Sequence, residues 1–383
     1  MLESRAPCLA NLVLSDSTPT PAEPLQKARR RSAPTLADVA REAGVSKMAA
    51  SSALSGGSSS ARVSPETRER VMAVAERLRY RPNANARALT YQRTNAIGFV
   101  TNLMGEEPNL YFLEVFGGVV QGAVAAHQTT SVFTLGDWDE APTRIPAMCD
   151  GRVDGLIVLA PRLEDDGQSW LPEHTPMVSV HASRDWRAGG VNFESDDEAG
   201  AYEMVRQMLG LGHRRILHVG GPAGFPGADR RVAGYLRAHA EAGVEPPIDH
   251  VVRASFNAEG GSEAMQDWLQ RHRGQPLPDA VFGGSDAIAV GCMETLLARG
   301  LSIPRDISVV GFDHTLLART LHMAAVRQPL REMGQQAVGV LMQLIDGIRR
   351  GAPYGGPSNV VLPATAVPGR TLAEPRRTPL LVA

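Results

Sequence analysis

Cysteine is scarce here: three in 383 residues, Cys8, Cys149 and Cys292, far apart and with no CxxC pair or clustered histidines. That argues against a disulfide framework and against a zinc site, and it suits a reducing compartment. No apolar run reaches membrane-spanning length, and the opening MLESRAPCLANLVLSDS has neither a basic n-region nor a long apolar h-region, so a cytoplasmic chain is expected. Catalytic signatures are lacking too. GGSDA is not G-x-S-x-G, because Ala287 takes the last glycine position. VGGPAGFPGAD has neither the G-K-[ST] ending of a P-loop nor GxGxxG, and reads as a flexible loop leading to a helix with Arg231. No enzyme, cofactor or metal is expected.

Net charge is also small, -2, but it is unevenly spread. Residues 1–93 carry 15 Lys and Arg against 8 Asp and Glu, and residues 94–383 carry 24 against 33, giving a head of +7 and a body of -9. Such a head is suited to a polyanion. Residues 1–34, rich in Pro, Ser, Thr and Ala, read as a disordered tail ending in the basic run KARRR. From residue 35 the pattern turns helical. Thr35 and Asp38 are placed to cap a helix whose Leu36, Val39, Ala40 and Ala43 share a face, and Gly44 ends it. Ser46 caps a second, with Ala49, Ala50, Ala53 and Leu54 inward, and Ser64-Pro65 opens a third, with Val71, Val74, Ala75 and Leu78 spaced for burial. The expectation is a helix-turn-helix domain over 35–80. The second helix is very small, KMAASSAL, which favours close packing and close approach to DNA. As a recognition helix its early positions Lys47, Met48, Ser51 and Ser52 would reach base edges, while on spacing alone it reads equally well as a plain element of a helical bundle.

Beyond residue 93, apolar runs such as AIGFVTNL, GLIVLA, RRILHVGG and ISVVGFD alternate with amphipathic stretches. That alternation means βαβ units and parallel sheet, and some 290 residues of it are too many for one small sheet. Two α/β lobes are expected, with a ligand at the carboxyl ends of strands between them. Residues so placed are His181, Arg231, Phe256, Ser285, Asp286 and Asp313. Taken singly, an Asp after a strand is more often a cap, a lone His a structural hydrogen bond and a Phe core. An Asp and an Arg converging on one pocket suit vicinal hydroxyls.

The chain resembles the LacI/GalR (lactose-repressor) family of bacterial transcription regulators. The matching stretches include TLADVAREAGVS at 35–46, VSPETRERVMAVAERLRYRPNANARAL at 63–89, VDGLIVLA at 153–160, LGHRRILHVGGP at 211–222, SDAIAVG at 285–291 and VRQPLREMGQQAV at 326–338. The resemblance implies an N-terminal three-helix head, a hinge helix within a hinge over 81–93, then a periplasmic-binding-protein-like α/β core over 94–383. Lobe 1 is expected at about 94–193 and 326–356, lobe 2 at about 194–325 and 357–375. It implies base reading by Lys47 and Met48, phosphate contacts from Thr35, Ser46, Ser51, Ser64 and Arg87, and a minor-groove wedge at Leu89. It also implies an effector pocket using Arg231, Asp313 and Phe256 with contacts near Tyr111 and Phe112. Where the family usually has arginine in the recognition helix this chain has Ser52. A bidentate arginine is worth roughly 1–3 kcal/mol of discrimination. An altered or weakened operator preference is therefore expected, with Arg62 placed to compensate.

The reading is a homodimeric or tetrameric ligand-responsive repressor of carbohydrate-metabolism genes, bound to double-stranded operator DNA and answering to a sugar or sugar acid. The alternative is a solute-binding protein or receptor of the same fold, against which the basic head argues. An α/β enzyme lacks any recognisable motif.

Overall fold

The computed structural model describes residues 33–54, 63–102, 110–162, 171–182, 190–247 and 249–382. Arg62 and most of the N-terminal tail lie outside the described residues. The chain divides into two compact units, residues 1–86 and 87–383.

In the first unit α1 (Leu36–Glu42), α2 (Lys47–Leu54) and α3 (Pro65–Arg77) surround a core of Val39, Ala40, Ala43, Ala50, Ala53, Val71, Val74 and Ala75. Each helix starts where its cap sequence says. Thr35 and Asp38 form a reciprocal capping box, Ser46 Oγ accepts from Ala49 N at 3.1 Å, and Ser64 Oγ from Thr67 N at 3.3 Å. Gly44 turns the chain between α1 and α2 at φ +66°, where a side chain would be strained. Arg70 and Arg68 of α3 donate to the carbonyls of Ala43 and Ala53, both at 3.0 Å, satisfying helix-end oxygens. One expectation fails: Ser52 is only 4% exposed. A helix of alanine and serine has so little bulk that it sinks between its neighbours, and Ser52 joins Ala50 and Ala53 inside. The hinge stretch contains α4 (Ala84–Tyr91), and the division between the two units falls within its residues.

The second unit runs β1 (Ala96–Asn102), α5 (Leu110–Ala125), β2 (Thr129–Leu135), α6 (Ala141–Met148), β3 (Gly155–Leu159), β4 (Met177–Val180) and β5 (Val191–Ser195). It continues through α7 (Asp197–Gly210), β6 (Ile216–Gly220), α8 (Pro226–Glu241), β7 (Val251–Arg253), α9 (Ala258–Arg271), β8 (Ala280–Gly283), α10 (Asp286–Ala298), β9 (Ser308–Asp313), α11 (Leu316–Thr320) and β10 (Ala324–Arg327). It ends with α12 (Leu330–Arg350), β11 (Asn359–Leu362) and β12 (Thr365–Val367). Two six-stranded sheets result, ordered β11-β5-β4-β3-β1-β2 and β12-β10-β9-β8-β6-β7. All pairings are parallel except β10 with β12. Strands such as GLIVL and AVFG are buried along their whole length because helices cover both faces.

The chain therefore passes between the lobes three times, after β5, after β10 and after β11. This corrects two expected boundaries. β10 still belongs to the second sheet, so that passage falls at Gln328 rather than at 326. Residues 359–362, expected in lobe 2, pair with β5 in lobe 1, because Val360 and Leu362 find their apolar partners in the first core.

Candidate functional site

Two surfaces carry the expected residues. On the head, Lys47, Met48 and Ser51 open α2 and are exposed, Met48 by 73%. Thr35, Ser46 and Ser64 sit at helix starts, where unpaired N–H groups point outward and suit phosphate. Arg87 and Leu89 lie exposed on α4, Leu89 by 84%.

The second surface is built at the passages between the lobes. β9 ends on Asp313, whose φ of +106° and that of His314, +56°, turn the chain sharply into α11. Arg231, from the first turns of α8, is 6% exposed and spreads its guanidinium 3.9 Å above the Phe312 ring. Its Nη2 lies 3.3 Å from Asp197 Oδ1 and 3.8 Å from Asp313 Oδ1, while Nη1 donates to the Gly284 carbonyl. Gln328, on the second passage, donates from Nε2 to Asp313 Oδ1 at 2.5 Å. Ser195, on the first passage, has one hydroxyl proton, with Gln328 Oε1 at 2.5 Å and Asp197 Oδ1 at 2.8 Å to receive it.

His181 follows β4 at φ +55°. Its Nε2 accepts from Ser195 N at 3.2 Å, so the ring proton sits on Nδ1, which faces the Tyr111 hydroxyl. Burial pushes His181 down to about 4, and burial followed by the charges of Asp313 and Asp197 pushes Tyr111 well above its usual range. Both are neutral at physiological pH. Asp313 is raised to about 6 by burial, a shift that the Arg231 guanidinium opposes. Phe256 lies 6.0 Å from Arg231 and packs onto Gly221, where a Cβ would collide with its ring. Edge-on to Phe256 at 5.8 Å is Phe225, and over Phe225 at 4.7 Å stacks Arg162 from the opposite lobe.

Tyr111, His181, Arg231, Phe256 and Asp313 are thus brought to one place, together with Ser195, Asp197 and Gln328, which sequence reading missed. Those three lie on passages between lobes, a position that depends on strand order rather than on local pattern. Three expected residues serve elsewhere. Phe112 stacks on Phe116 at 5.6 Å and meets Phe99 at 5.7 Å, because the i, i+4 spacing on α5 turns both toward the first core. Ser285 caps α10, accepting from Ile288 N at 3.1 Å. Asp286 braces the turn after Asp313, accepting from Thr315 N at 2.6 Å and Oγ1 at 2.8 Å.

Beside Asp313 and Gln328 a cavity of about 320 Å³ opens between α5, α11 and α12, and Arg319 and Arg331 there are already paired with buried Glu114. Among the described residues no group of His, Cys, Asp and Glu could hold a metal, and no helix is long and apolar enough to cross a membrane.

A three-helix head opening on an exposed recognition helix, joined to a two-lobed core with a polar network at its crossings, defines a class: a helix-turn-helix regulator governed by a small ligand. Comparison with known proteins agrees. Residues 35–83 match the bacterial regulatory proteins of the lacI family, and residues 205–372 the periplasmic binding protein-like domain. The HTH-type transcriptional repressor PurR of Klebsiella pneumoniae is 32% identical over 321 residues, spanning 81% of this chain and 90% of that one. The Lac repressor dimer bound to operator and the anti-inducer ONPF superposes with a TM-score of 0.76 at 25% identity, over 88% of this chain and 99% of that one. The complex of the transcriptional regulator CelR with cellobiose gives 0.64 at 26%, with the same coverage. The chain belongs to the LacI family of bacterial regulatory proteins, and it is a ligand-responsive transcriptional repressor rather than an enzyme.

Proposed function

We propose that this repressor controls carbohydrate-metabolism genes as a cytoplasmic homodimer on a pseudo-palindromic operator, and that a sugar or sugar acid bound between the core lobes sets its DNA affinity. The observation that carries the effector site is the network joining Asp313 and Arg231 to Ser195 and Gln328, side chains on two of the passages between lobes. A polyol at Asp313 would exchange hydrogen bonds with the same groups that fix the lobe angle. Ligand and lobe arrangement then bias one equilibrium. Phe256 offers an apolar face to a sugar ring, and Tyr111 and His181 present neutral polar groups to its hydroxyls.

On DNA, Lys47 and Met48 reach base edges, and Ser51, Thr35, Ser46, Ser64 and Arg87 serve phosphates. Leu89 enters the minor groove at the dimer axis. Exposed apolar side chains are available to self-association: Leu113 and Val124 on α5, Leu297 on α10 and Leu316 on α11 are 43%, 68%, 52% and 58% exposed. A relative caught as an operator-bound dimer and another holding cellobiose support the reading. The test is fluorescence anisotropy on DNA flanking the protein's own gene, across salt, with a panel of sugars and sugar acids. Sequence-specific binding weakened in Lys47→Ala and shifted by one ligand is expected. Binding that is weak, independent of sequence and steep in salt would overturn it.

A further inference from the structure

We infer that Asp197 is a built-in anion that makes the cleft selective for uncharged polyols and turns away carboxylated and phosphorylated sugars. The inference rests on the effector site proposed above and narrows it.

The surroundings of Asp197 are those of a bound anion. It is fully buried, at the first turn of α7. Arg231 lies 3.3 Å from its Oδ1 and Arg230 lies 3.4 Å from its Oδ2. Ser195 Oγ is 2.8 Å from Oδ1. Gly227, in the first turn of α8, leaves room for it, since a Cβ there would stand 2.9 Å from Oδ2. Two guanidinium groups, a hydroxyl and the amino end of a sixteen-residue helix form a pocket suited to an incoming carboxylate or phosphate. The protein's own carboxylate already occupies it.

With that place taken, both Nη groups of Arg231 are engaged, and its Nε–H is buried without a partner. Its remaining charge is shared with Asp313, and its other Nη donates to Gly284. Arg230 is shared with Glu194 at 3.1 Å. Beyond them stands the buried carboxylate of Asp313. Asp286, behind it, adds little charge, because burial and then the Asp313 charge disfavour its ionised form. An anion entering the cleft meets the Asp313 carboxylate, whereas a hydroxyl meets ready acceptors on Asp313 and an amide on Gln328. Asp197 therefore acts through Arg231 on specificity rather than by touching the ligand.

The experiment is calorimetric titration of full-length wild type, Asp197→Asn and Asp197→Glu with charged sugars beside uncharged counterparts: D-gluconate with D-gluconamide, and glucose 6-phosphate with glucose. Asn keeps the shape and removes the charge, and Glu keeps the charge. Wild type and Asp197→Glu should favour the uncharged member of a pair. Asp197→Asn should gain affinity for the charged member by roughly tenfold or more, the worth of a charged hydrogen bond. A merely structural role for Asp197 would weaken both members alike, and that outcome overturns the inference. So does wild type binding the charged member at least as tightly, which leaves the effector site itself standing. If none of the three proteins binds any sugar of a wider panel while each still binds DNA, the effector reading falls and the inference with it.

Discussion

Replacing Arg231 by methionine should expose how much of the core's stability hangs on one cation. The stem of Met can still pack on Phe312, so the loss is mainly of charge. Asp313, only 7% exposed, keeps Gln328 but loses its guanidinium, and Asp197 keeps Arg230 and the Ser195 hydroxyl. Breaking a buried pair by removing one partner costs about 3–5 kcal/mol. The cost should depend on pH in a set direction. Asp313 already sits at about 6, held down by Arg231, and without it rises further. A carboxylate whose folded pKa exceeds its unfolded value binds protons on folding, so its contribution to stability improves as pH falls through the raised value. The difference between wild type and Arg231→Met should therefore shrink from pH 7.5 to 5, by up to about 1.4 kcal/mol per pH unit for each carboxylate that takes up a proton. Urea unfolding of both proteins across that range measures it. A deficit below about 1 kcal/mol, or one that stays constant with pH, would refute the assignment of Arg231 as the counter-ion of this site.

Other expectations are as direct. Leu89→Ala, at an exposed position, should leave unfolding within about 0.5 kcal/mol of wild type yet weaken specific DNA binding by roughly tenfold or more; anisotropy and thermal melts separate the two, and a parallel loss of both would point to a structural role. Gly118→Ala should destabilise lobe 1 by about 2 kcal/mol or more, because a Cβ there collides with the backbone carbonyl of Arg331 where α5 crosses α12, and an unchanged melting curve would contradict that packing. His218 is buried against Tyr235 and Phe282 and is pushed down to about 4 by burial, below its unfolded value. Its stabilising contribution is thus present above about 6.5 and lost as pH falls toward 4, some 2 kcal/mol by pH 5. His218→Phe should lose that part of the acid sensitivity, and melts at pH 7.5 and 5 that fall equally in both proteins would deny it.

What the sequence disclosed and what it hid follow from the range of the interactions. Caps and turns are local, so Thr35, Ser46, Ser64 and Gly44 mark the head's helices residue by residue. Buried parallel strands are continuous apolar runs, so β3 and β9 are plain. β11 and β12 are four and three residues long, and only their partners in different sheets show where lobe 1 ends. Arg231 and Asp313 were legible as residues near strand ends, but the carboxylate closest to Arg231 was not. Asp197 reads locally as an ordinary helix-start acid, and its meeting with α8 is a matter of tertiary packing. Ser52 misled for a similar reason, since depth in a bundle depends on the bulk of the neighbours as well as on helical phase.

In the proposed mechanism one equilibrium joins the cleft to the DNA-binding surface. Linkage requires that if a ligand changes operator affinity by some factor, operator DNA changes ligand affinity by the same factor. The decisive measurement is the ligand's Kd on free protein and on protein saturated with operator, set beside the operator Kd with and without ligand. Equal factors, both abolished in Asp313→Ala, are predicted. A ligand that binds the cleft with the same Kd whether or not DNA is present would contradict the account.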